Sequence, residues 1–331
     1  MAAPATTLPA KAKAQAKGKA AEARDRRGAA RRPESSPLER NQRRTFWPFL
    51  TPALVMFVLF FVAPIVFSGW LSLNRWDGLG EMTSRGFANY PALFRDPVFT
   101  GALKNTGLLL FVGGGCVFVL SFAITVVLRD MRDRNVVRYV LFFPVLVNPL
   151  VFGVMVGLLF RPSGIVNFVM EHIGISDPPK WLGEQNLMTM IVAVTVWSAT
   201  GFYTTILMSG VEQIPRSYYE AAELDGAGAW QRFRHVTLPL SWDVVTVCAI
   251  FWTISTVKVF ELILVFGGSV GGAPPKDTWT SAMYVYQRAF NTTSTRDFGI
   301  SSAAALVSLV LITIAAVLLR RMMRRDAIQF S

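Results

Sequence analysis

The stretch EAAELDGA at residues 220–227, which TLP at residues 237–239 closes, is a polar segment set between two long apolar runs. Its backbone cannot lie exposed in lipid as an irregular loop, because hydrocarbon leaves backbone N–H and C=O groups unsatisfied. One apolar run must therefore end before this segment and another must begin after it. The alanine side chains keep its surface low, so another protein can approach closely.

Capping signals predict a short helix within this segment. Pro215 suits the first turn, Ser217 is placed to cap it, and Glu220 stands three residues further on, as in a capping box. The helix is expected from about residue 218 to residue 224. Gly226 then ends it, because glycine adopts the left-handed conformation that terminates helices.

A second short helix is predicted from about Ala229 to Pro239. Trp230, Phe233 and Leu238 also suit an ordinary amphipathic helix at the membrane interface, and composition alone leaves that interpretation open.

Composition places the chain among membrane proteins. Hydrophobic residues make up 52% of the 331 positions, charged residues only 16%, and the mean hydropathy is +0.41. The net charge of +12 is concentrated near the ends of the chain, which indicates orientation in a membrane and not a nucleic-acid-binding face.

Six apolar runs are long enough to cross a bilayer as helices. The third carries Pro144 and Pro149, which give the bundle places to bend, and the fourth is the most polar, so one of its faces is expected to line a cavity. The predicted fold is an all-α bundle of six spans, at about 49–73, 106–128, 139–160, 187–208, 244–266 and 298–319.

The distribution of Lys and Arg predicts that both termini are cytoplasmic. With the N-terminus inside, the inner segments hold 23 basic residues and the outer segments nine, with Lys258 inside a span. The basic tail lacks aromatic residues before Phe46, so it is expected to be disordered. Its basic residues are interpreted as fixing topology, with anionic headgroups or RNA as the alternative ligands. The predicted organisation is a tail at 1–45, a membrane domain at 46–320 with an inner loop at 211–240, and a C-terminal tail at 321–331.

Motifs for catalysis or metal binding are not found in the sequence. The glycines at 113–115 favour close helix approach and lack the Walker spacing of a nucleotide loop. No Gly-x-Ser-x-Gly, His-Glu-x-x-His or paired Cys-x-x-Cys occurs, and the two histidines have no ligand-like spacing to other candidate ligands. The chain is therefore predicted not to be an enzyme and to hold no cofactor or metal.

The inner loop resembles the EAA loop of ABC importer permeases, in the form typical of the carbohydrate-importer branch. The matching residues are Ile214, Pro215, Glu220, Ala221, Ala222, Asp225, Gly226, Ala227, Phe233, Leu238 and Pro239. Further likeness extends over about residues 46–319, and includes Asn89, Asp96-Pro97, Asn105 and Lys258 to Glu261. The chain departs from the family pattern in a longer glycine-rich turn at 267–275.

This resemblance implies a permease subunit in a bacterial plasma membrane. The implied partners are a second, similar permease, two ATP-binding cassette subunits that carry ATP and Mg, an extracytoplasmic solute-binding protein, and a sugar. It also implies that Glu220 pairs with a basic residue of the ATP-binding subunit and that Gly226 forms the turn of the coupling helix.

Aromatic and hydroxyl side chains in the fourth and fifth spans are the candidates for the substrate path. Lys258 and Glu261 are three residues apart in a span, which predicts neighbouring positions on one helix face. They are interpreted as a structural pair, as a lysine that snorkels, or as ligand contacts. The other candidates are Trp197, Thr200, Tyr203, Trp252 and Ser255.

The alternative function is a self-sufficient secondary transporter or channel, in which Lys258 and Glu261 couple transport to protons or ions. No inverted repeat is visible in the sequence, which counts against this alternative.

Overall fold

The structure is a computed structural model, and the described residues are 37–129, 131–268, 274–290 and 296–323. The expected disorder of the tail lies outside the described residues for positions 1–36. The same holds for positions 269–273 of the glycine-rich turn and for the C-terminal tail from position 324.

The chain divides into two units, Met1–Ile65 and Val66–Ser331. In the first, helix α1 (Pro37–Phe57) continues through a π turn at Val58–Val62 into α2 (Ala63–Leu71), which runs on into the second unit. Positions 37–45, assigned to the tail from the sequence, thus belong to the helix.

The π turn has a local cause in the sequence. Pro64 lacks the N–H that would bond the carbonyl of Phe60, and the five-residue turn lies just before this proline. At the same place the Ala63 N–H donates to the carbonyl of Val58, five residues earlier. The wider turn keeps an apolar helix continuous past a proline.

Helices make up nearly all of the regular structure described in the second unit. One two-residue ladder pairs β1 (Asn74–Arg75) with β2 (Thr83–Ser84) in antiparallel register. A π turn at 109–113 joins α4 to α5, and another at 233–237 joins α11 to α12. The helices are α3 (Asn89–Arg95), α4 (Pro97–Leu108), α5 (Gly114–Arg129), α6 (Arg134–Leu146), α7 (Pro149–Phe160), α8 (Ile165–His172), α9 (Glu184–Val211), α10 (Arg216–Leu224), α11 (Ala229–Arg232), α12 (Leu238–Leu240), α13 (Trp242–Thr256), α14 (Glu261–Gly268), α15 (Ser281–Phe290) and α16 (Phe298–Met323).

Within the described ranges, five helical segments are long and apolar enough to cross a membrane, and a sixth is reached if one bent pair counts as a span. That bent pair is Ala229–Leu240 with Trp242–Thr256, which turn by 74°. The all-α prediction with six spans is therefore confirmed. The five are Phe46–Leu71, Pro97–Arg129, Pro149–His172, Glu184–Val211 and Phe298–Met323.

The third run is not the continuous helix that the sequence analysis predicted. Its first helix ends at Leu146, Val147 is extended, and α7 starts anew at Pro149. Asn148 caps α7, because its side-chain oxygen accepts from the Leu150 N–H at 2.9 Å. The residue before a proline avoids the helical region, so Asn148-Pro149 restarts the helix and does not merely bend it.

The fifth run is also broken, and here the cause is tertiary. Helix α13 ends at Thr256, after which Lys258 and Val259 make only three-residue turn bonds, to Ser255 and Thr256. The carbonyl of Val259 instead accepts from the Thr280 hydroxyl at 2.6 Å. In a continuous helix the Val259 carbonyl would accept a hydrogen bond from a backbone N–H of the same helix. Here it bonds the side chain of Thr280, in a different segment.

Helix α9 is the centre of the second unit. It packs against α5 and α6, while α16 packs against α13 and α15, and α7 packs against α14. Glycines allow the closest approaches, as expected for helices in lipid. A β-carbon on Gly201 would stand 1.8 Å from the carbonyl oxygen of Leu141, and one on Gly114 would stand 2.5 Å from the indole nitrogen of Trp252.

A hydrogen-bonded cluster around Asp96 joins α15 to the start of α4. The Asp96 carboxylate caps α4 through the Val98 N–H and accepts from Tyr284 Oη at 2.7 Å and Arg288 Nη2 at 2.6 Å. Partial burial raises the Asp96 pKa, but these hydrogen bonds and the guanidinium charge outweigh it, so the pKa lies below its ordinary value. The ionised Asp96 carboxylate therefore stabilises the folded chain at pH values above the ordinary pKa of aspartate. This stabilisation is lost as the pH falls through the lowered pKa of Asp96.

Candidate functional site

The polar inner loop at residues 211–240 forms a helix, a turn and a second helix. Helix α10 ends at Leu224, and Gly226 has φ of +76°. The N–H of Ala227 donates to the carbonyl of Ala222 at 2.9 Å, and that of Gly226 to the carbonyl of Glu223 at 3.0 Å. This pair of bonds is the Schellman arrangement, so the predicted role of Gly226 as the turn residue is confirmed.

The start of this helix differs from the prediction. Pro215 is extended and stands at the N-cap position, so helix α10 begins at Arg216 and has no side-chain cap. Ser217 lies inside the first turn and not at its end, so its predicted capping role is wrong. The backbone at Pro215 is compatible with the fixed φ of proline, and the helix begins two residues earlier than a Ser217 cap would require.

The side chains assigned to the coupling surface lie mostly in solvent. Glu220, Ala221, Asp225 and Gly226 are exposed, whereas Ala222, Ala227, Phe233 and Pro239 are half-buried. Leu224, an apolar residue at the tip of α10, is 90% exposed.

The opposite face of α10 is anchored to the bundle by Tyr219, which the sequence analysis missed. Tyr219 is buried, its hydroxyl lies 3.1 Å from Thr237 Oγ1, and the Arg129 guanidinium stacks 3.3 Å above its ring. An ion pair between Glu223 and Arg232 ties α10 to α11. These contacts attach α10 to the end of α5 and to α11.

Residues from five helices and two breaks line a cavity of about 360 Å³ in the bundle. Tyr203, Trp252 and Ser255 line it, as three of the predicted path residues. Most of the remaining lining is apolar, but Thr195, Ser198 and Thr256 add three hydroxyl groups. The full lining is Pro144, Val145, Val147, Pro149, Phe152, Thr195, Ser198, Ala199, Phe202, Tyr203, Trp252, Ser255, Thr256, Val259 and Leu262.

Thr195 is the most informative residue of this cavity. It is more than nine-tenths buried, and its hydroxyl has no hydrogen-bond partner among the residues that the structure describes. A buried hydroxyl without a partner is costly, so a ligand that supplies one would be favoured at this position. Thr195 lies in the fourth span, which was expected to line a cavity, but it was not among the predicted path residues.

Two other predicted path residues lie outside the cavity. Trp197 is 54% exposed and packs on Phe152, on the outer side of the helix. Thr200 is buried, donates to the Val196 carbonyl at 2.6 Å and accepts at its own carbonyl from Ser121. Thr200 therefore joins α9 to α5.

The predicted placement of Lys258 and Glu261 on one helix face is wrong, because Lys258 lies in the break and Glu261 begins α14. In the part of the chain that the structure describes, no ion pair within 4 Å joins them. They line a separate cavity of about 590 Å³ with a largely apolar wall. The two groups are thus not brought to Tyr203, Trp252 and Ser255.

Comparison with protein families matches residues 118–326 to the binding-protein-dependent transport system inner membrane component. The lactose transport system permease protein of Rhizobium radiobacter is 30% identical over 82% of this chain and 90% of its own length. The sulfoquinovosyl glycerol transport system permease protein of Agrobacterium fabrum is 34% identical over 84% of this chain and 90% of its own.

Among solved structures, a bacterial ABC transporter involved in the import of the acidic polysaccharide alginate has a similar fold. Its matched chain aligns with a TM-score of 0.72 at 20% identity, covering 87% of this chain and 98% of that chain. A second structure, of the bacterial alginate transporter with an alginate pentasaccharide-bound periplasmic protein, aligns with a TM-score of 0.71.

Proposed function

Because this chain belongs to the family of binding-protein-dependent transport system inner membrane components, we propose that it moves a carbohydrate inward as one permease subunit of an ATP-driven importer. The family and the sugar-permease relatives are established by sequence. The partners, the energy source and the sugar are the proposed part.

The proposed assembly contains a second permease of the same kind, two ATP-binding subunits and an extracytoplasmic solute-binding protein that delivers the sugar. ATP and Mg are bound by the ATP-binding subunits, and this chain needs no cofactor of its own. One solved relative in fold was crystallised with a periplasmic protein, which supports such a partner.

The observation that carries this proposal is the exposed helix α10 with its Schellman turn at Gly226, anchored beneath by Tyr219. A rigid, solvent-facing helix attached to a membrane span can pass on the movement of a partner. We assign Glu220 to the contact with a basic residue of the ATP-binding subunit.

We place the chain in the bacterial plasma membrane with both termini cytoplasmic. The excess of basic residues on the predicted inner side supports this orientation. In a version without Cys116 and Cys248, a cysteine at Ser176 should be labelled from outside and one at Arg216 should be protected. Labelling of position 216 from outside would reverse the orientation.

Uptake into vesicles tests the function. The chain, reconstituted with its second permease, ATP-binding subunits and binding protein, should accumulate sugar only with internal ATP and Mg. Uptake by the chain alone, without ATP and driven by an ion gradient, would favour the secondary transporter that uses Lys258 and Glu261.

The sugar is proposed to contact the cavity at Thr195, Tyr203 and Ser255. Changing Thr195 to valine keeps the side-chain shape and removes the hydroxyl, which has no protein partner to lose. We expect the KM for uptake to rise by about three- to tenfold, because a hydrogen bond contributes about 0.5–1.5 kcal/mol. Folding should be unaffected.

Thr204 provides a matched control on the same helix. Its hydroxyl is also buried and without a partner, but it does not line the cavity. Thr204→Val should leave the KM unchanged. If Thr195→Val and the unaltered chain have the same KM, Thr195 does not contact the sugar.

A further inference from the structure

A cavity of about 800 Å³ opens beside α10, at the end of the bundle where α5 gives way to α6. One wall is the turn between these helices with Arg132 and the start of α6 with Asn135. The other wall is α10 itself, with Arg216 and Glu220. The candidate docking helix and the first inner turn therefore share one polar cavity, which is called the arginine cavity below. Its full lining is Arg129, Met131, Arg132, Arg134, Asn135, Val211, Glu212, Ile214, Arg216, Tyr219, Glu220 and Glu223.

Several charges of this cavity are already paired within the chain. Arg134 lies 3.5 Å from Glu212, and Glu223 pairs with Arg232. The Arg129 guanidinium stacks on the ring of Tyr219.

Apart from Arg129, which stacks on Tyr219, three lining charges have no ion pair within 4 Å among the described residues, namely Arg132, Arg216 and Glu220. All three side chains are exposed. The cavity thus presents two unpaired cations and one unpaired anion to whatever covers it.

We propose that the arginine cavity is a second docking point for the ATP-binding subunit, which places an acidic side chain against Arg132 and Arg216. This inference rests on the proposed function, and it adds the first inner turn to a contact otherwise assigned to the coupling loop. A partner seated on Glu220 covers the cavity, because Glu220 is part of its lining.

Charge favours a protein segment over a phosphate group as the occupant. A phosphate group needs a cradle of one sign, and here Glu212, Glu220 and Glu223 share the lining with the arginines. A protein surface that carries an acidic and a basic side chain complements both signs at once.

The two-point contact has a mechanical consequence. The cavity wall includes the end of α5 at Arg129, the start of α6 at Arg134 and the end of α9 at Val211. An ATP-binding subunit held at both Arg132 and Glu220 would hold three helices together. Its rotation would then move these helices as one body and would not only bend the coupling loop.

Binding of the ATP-binding subunit to the complete permease pair in nanodiscs tests this inference. Arg132→Gln and Arg216→Gln should each raise the Kd by about tenfold at low salt, because each removes a charge-assisted contact. Both variants should also show a weaker dependence of the Kd on salt concentration.

Arg234→Gln is the matched control. Arg234 is exposed in the same loop and carries the same charge, but it does not line the cavity. The Kd of Arg234→Gln should stay within about twofold of that of the unaltered chain. If Arg234→Gln raises the Kd as much as Arg132→Gln does, the arginines act only through general electrostatic attraction, and the inference is overturned.

The remaining outcomes separate this inference from the proposed function. If the unaltered permease pair binds no ATP-binding subunit, the proposed function itself fails. If it binds one and both arginine variants bind equally well, only the arginine cavity is refuted. Retention of an anionic lipid that depends on Arg132, with normal ATP-binding subunit affinity, would identify a different occupant and overturn the inference.

Discussion

Replacing Gly226 by valine is expected to abolish ATP-driven uptake while the chain still inserts into the membrane. Gly226 has φ of +76°, and a β-branched residue is strongly disfavoured there. The Schellman bonds to Ala222 and Glu223 would break, and α10 would lose its fixed angle to α11. Uptake into vesicles and recovery of the ATP-binding subunit on pull-down should both fall.

Gly226→Asn distinguishes this backbone effect from the loss of a small side chain. No atom lies within 4 Å of where a β-carbon would be built at position 226, so space is not the constraint. Asparagine tolerates the left-handed conformation, and most of the uptake should return. If Gly226→Val transports normally, this loop is not the coupling element.

Glu220→Ala should weaken the same contact without changing the backbone. Loss of a charge-assisted hydrogen bond at an interface costs about 1.5–3 kcal/mol. Sugar-stimulated ATP hydrolysis should fall with it, while the permease pair stays assembled. An unchanged rate of stimulated hydrolysis would exclude Glu220 from the contact.

Gly201→Ala is expected to have the largest effect on folding of any single methyl group added to the bundle. The new β-carbon would stand 1.8 Å from the Leu141 carbonyl oxygen, which is backbone and cannot rotate away. Helices α9 and α6 would have to separate, at a cost of about 2–3 kcal/mol or more. The thermal midpoint in detergent and the yield of monodisperse protein should both drop.

Gly115→Ala is the matched control for this substitution. Gly115 is also a helical glycine within a span, but its added β-carbon meets no atom within 4 Å. Alanine should leave stability unchanged or raise it by up to about 1 kcal/mol. Equal midpoints for the two variants would show that α9 and α6 do not approach as closely as the structure has them.

The two broken spans differ in how far the sequence could have revealed them. Asn148-Pro149 is a local signal for a helix start. The run that contains it was predicted to be one helix because its length and hydrophobicity alone were considered. The break after Thr256 has no such signal. It depends on the bond between Val259 and Thr280, which are 21 residues apart.

The error over Lys258 and Glu261 follows from the second break. A spacing of three residues places two side chains on one face only while the helix continues. Once α13 ends at Thr256, the two residues belong to different segments. Sequence spacing therefore predicts a charge pair only where the helix that contains both residues is continuous.

By itself, the sequence determined the class of fold and the bend at Gly226, because apolar length, capping signals and glycine act over a few residues. Only the tertiary structure decided which polar groups meet. In the tertiary structure the Thr195 hydroxyl is buried without a partner among the described residues, and the Arg129 guanidinium stacks on the Tyr219 ring. The arginine cavity lies between α10 and the turn that joins α5 to α6. The physical reason is that these contacts join residues far apart in the chain, and no local pattern specifies their distance.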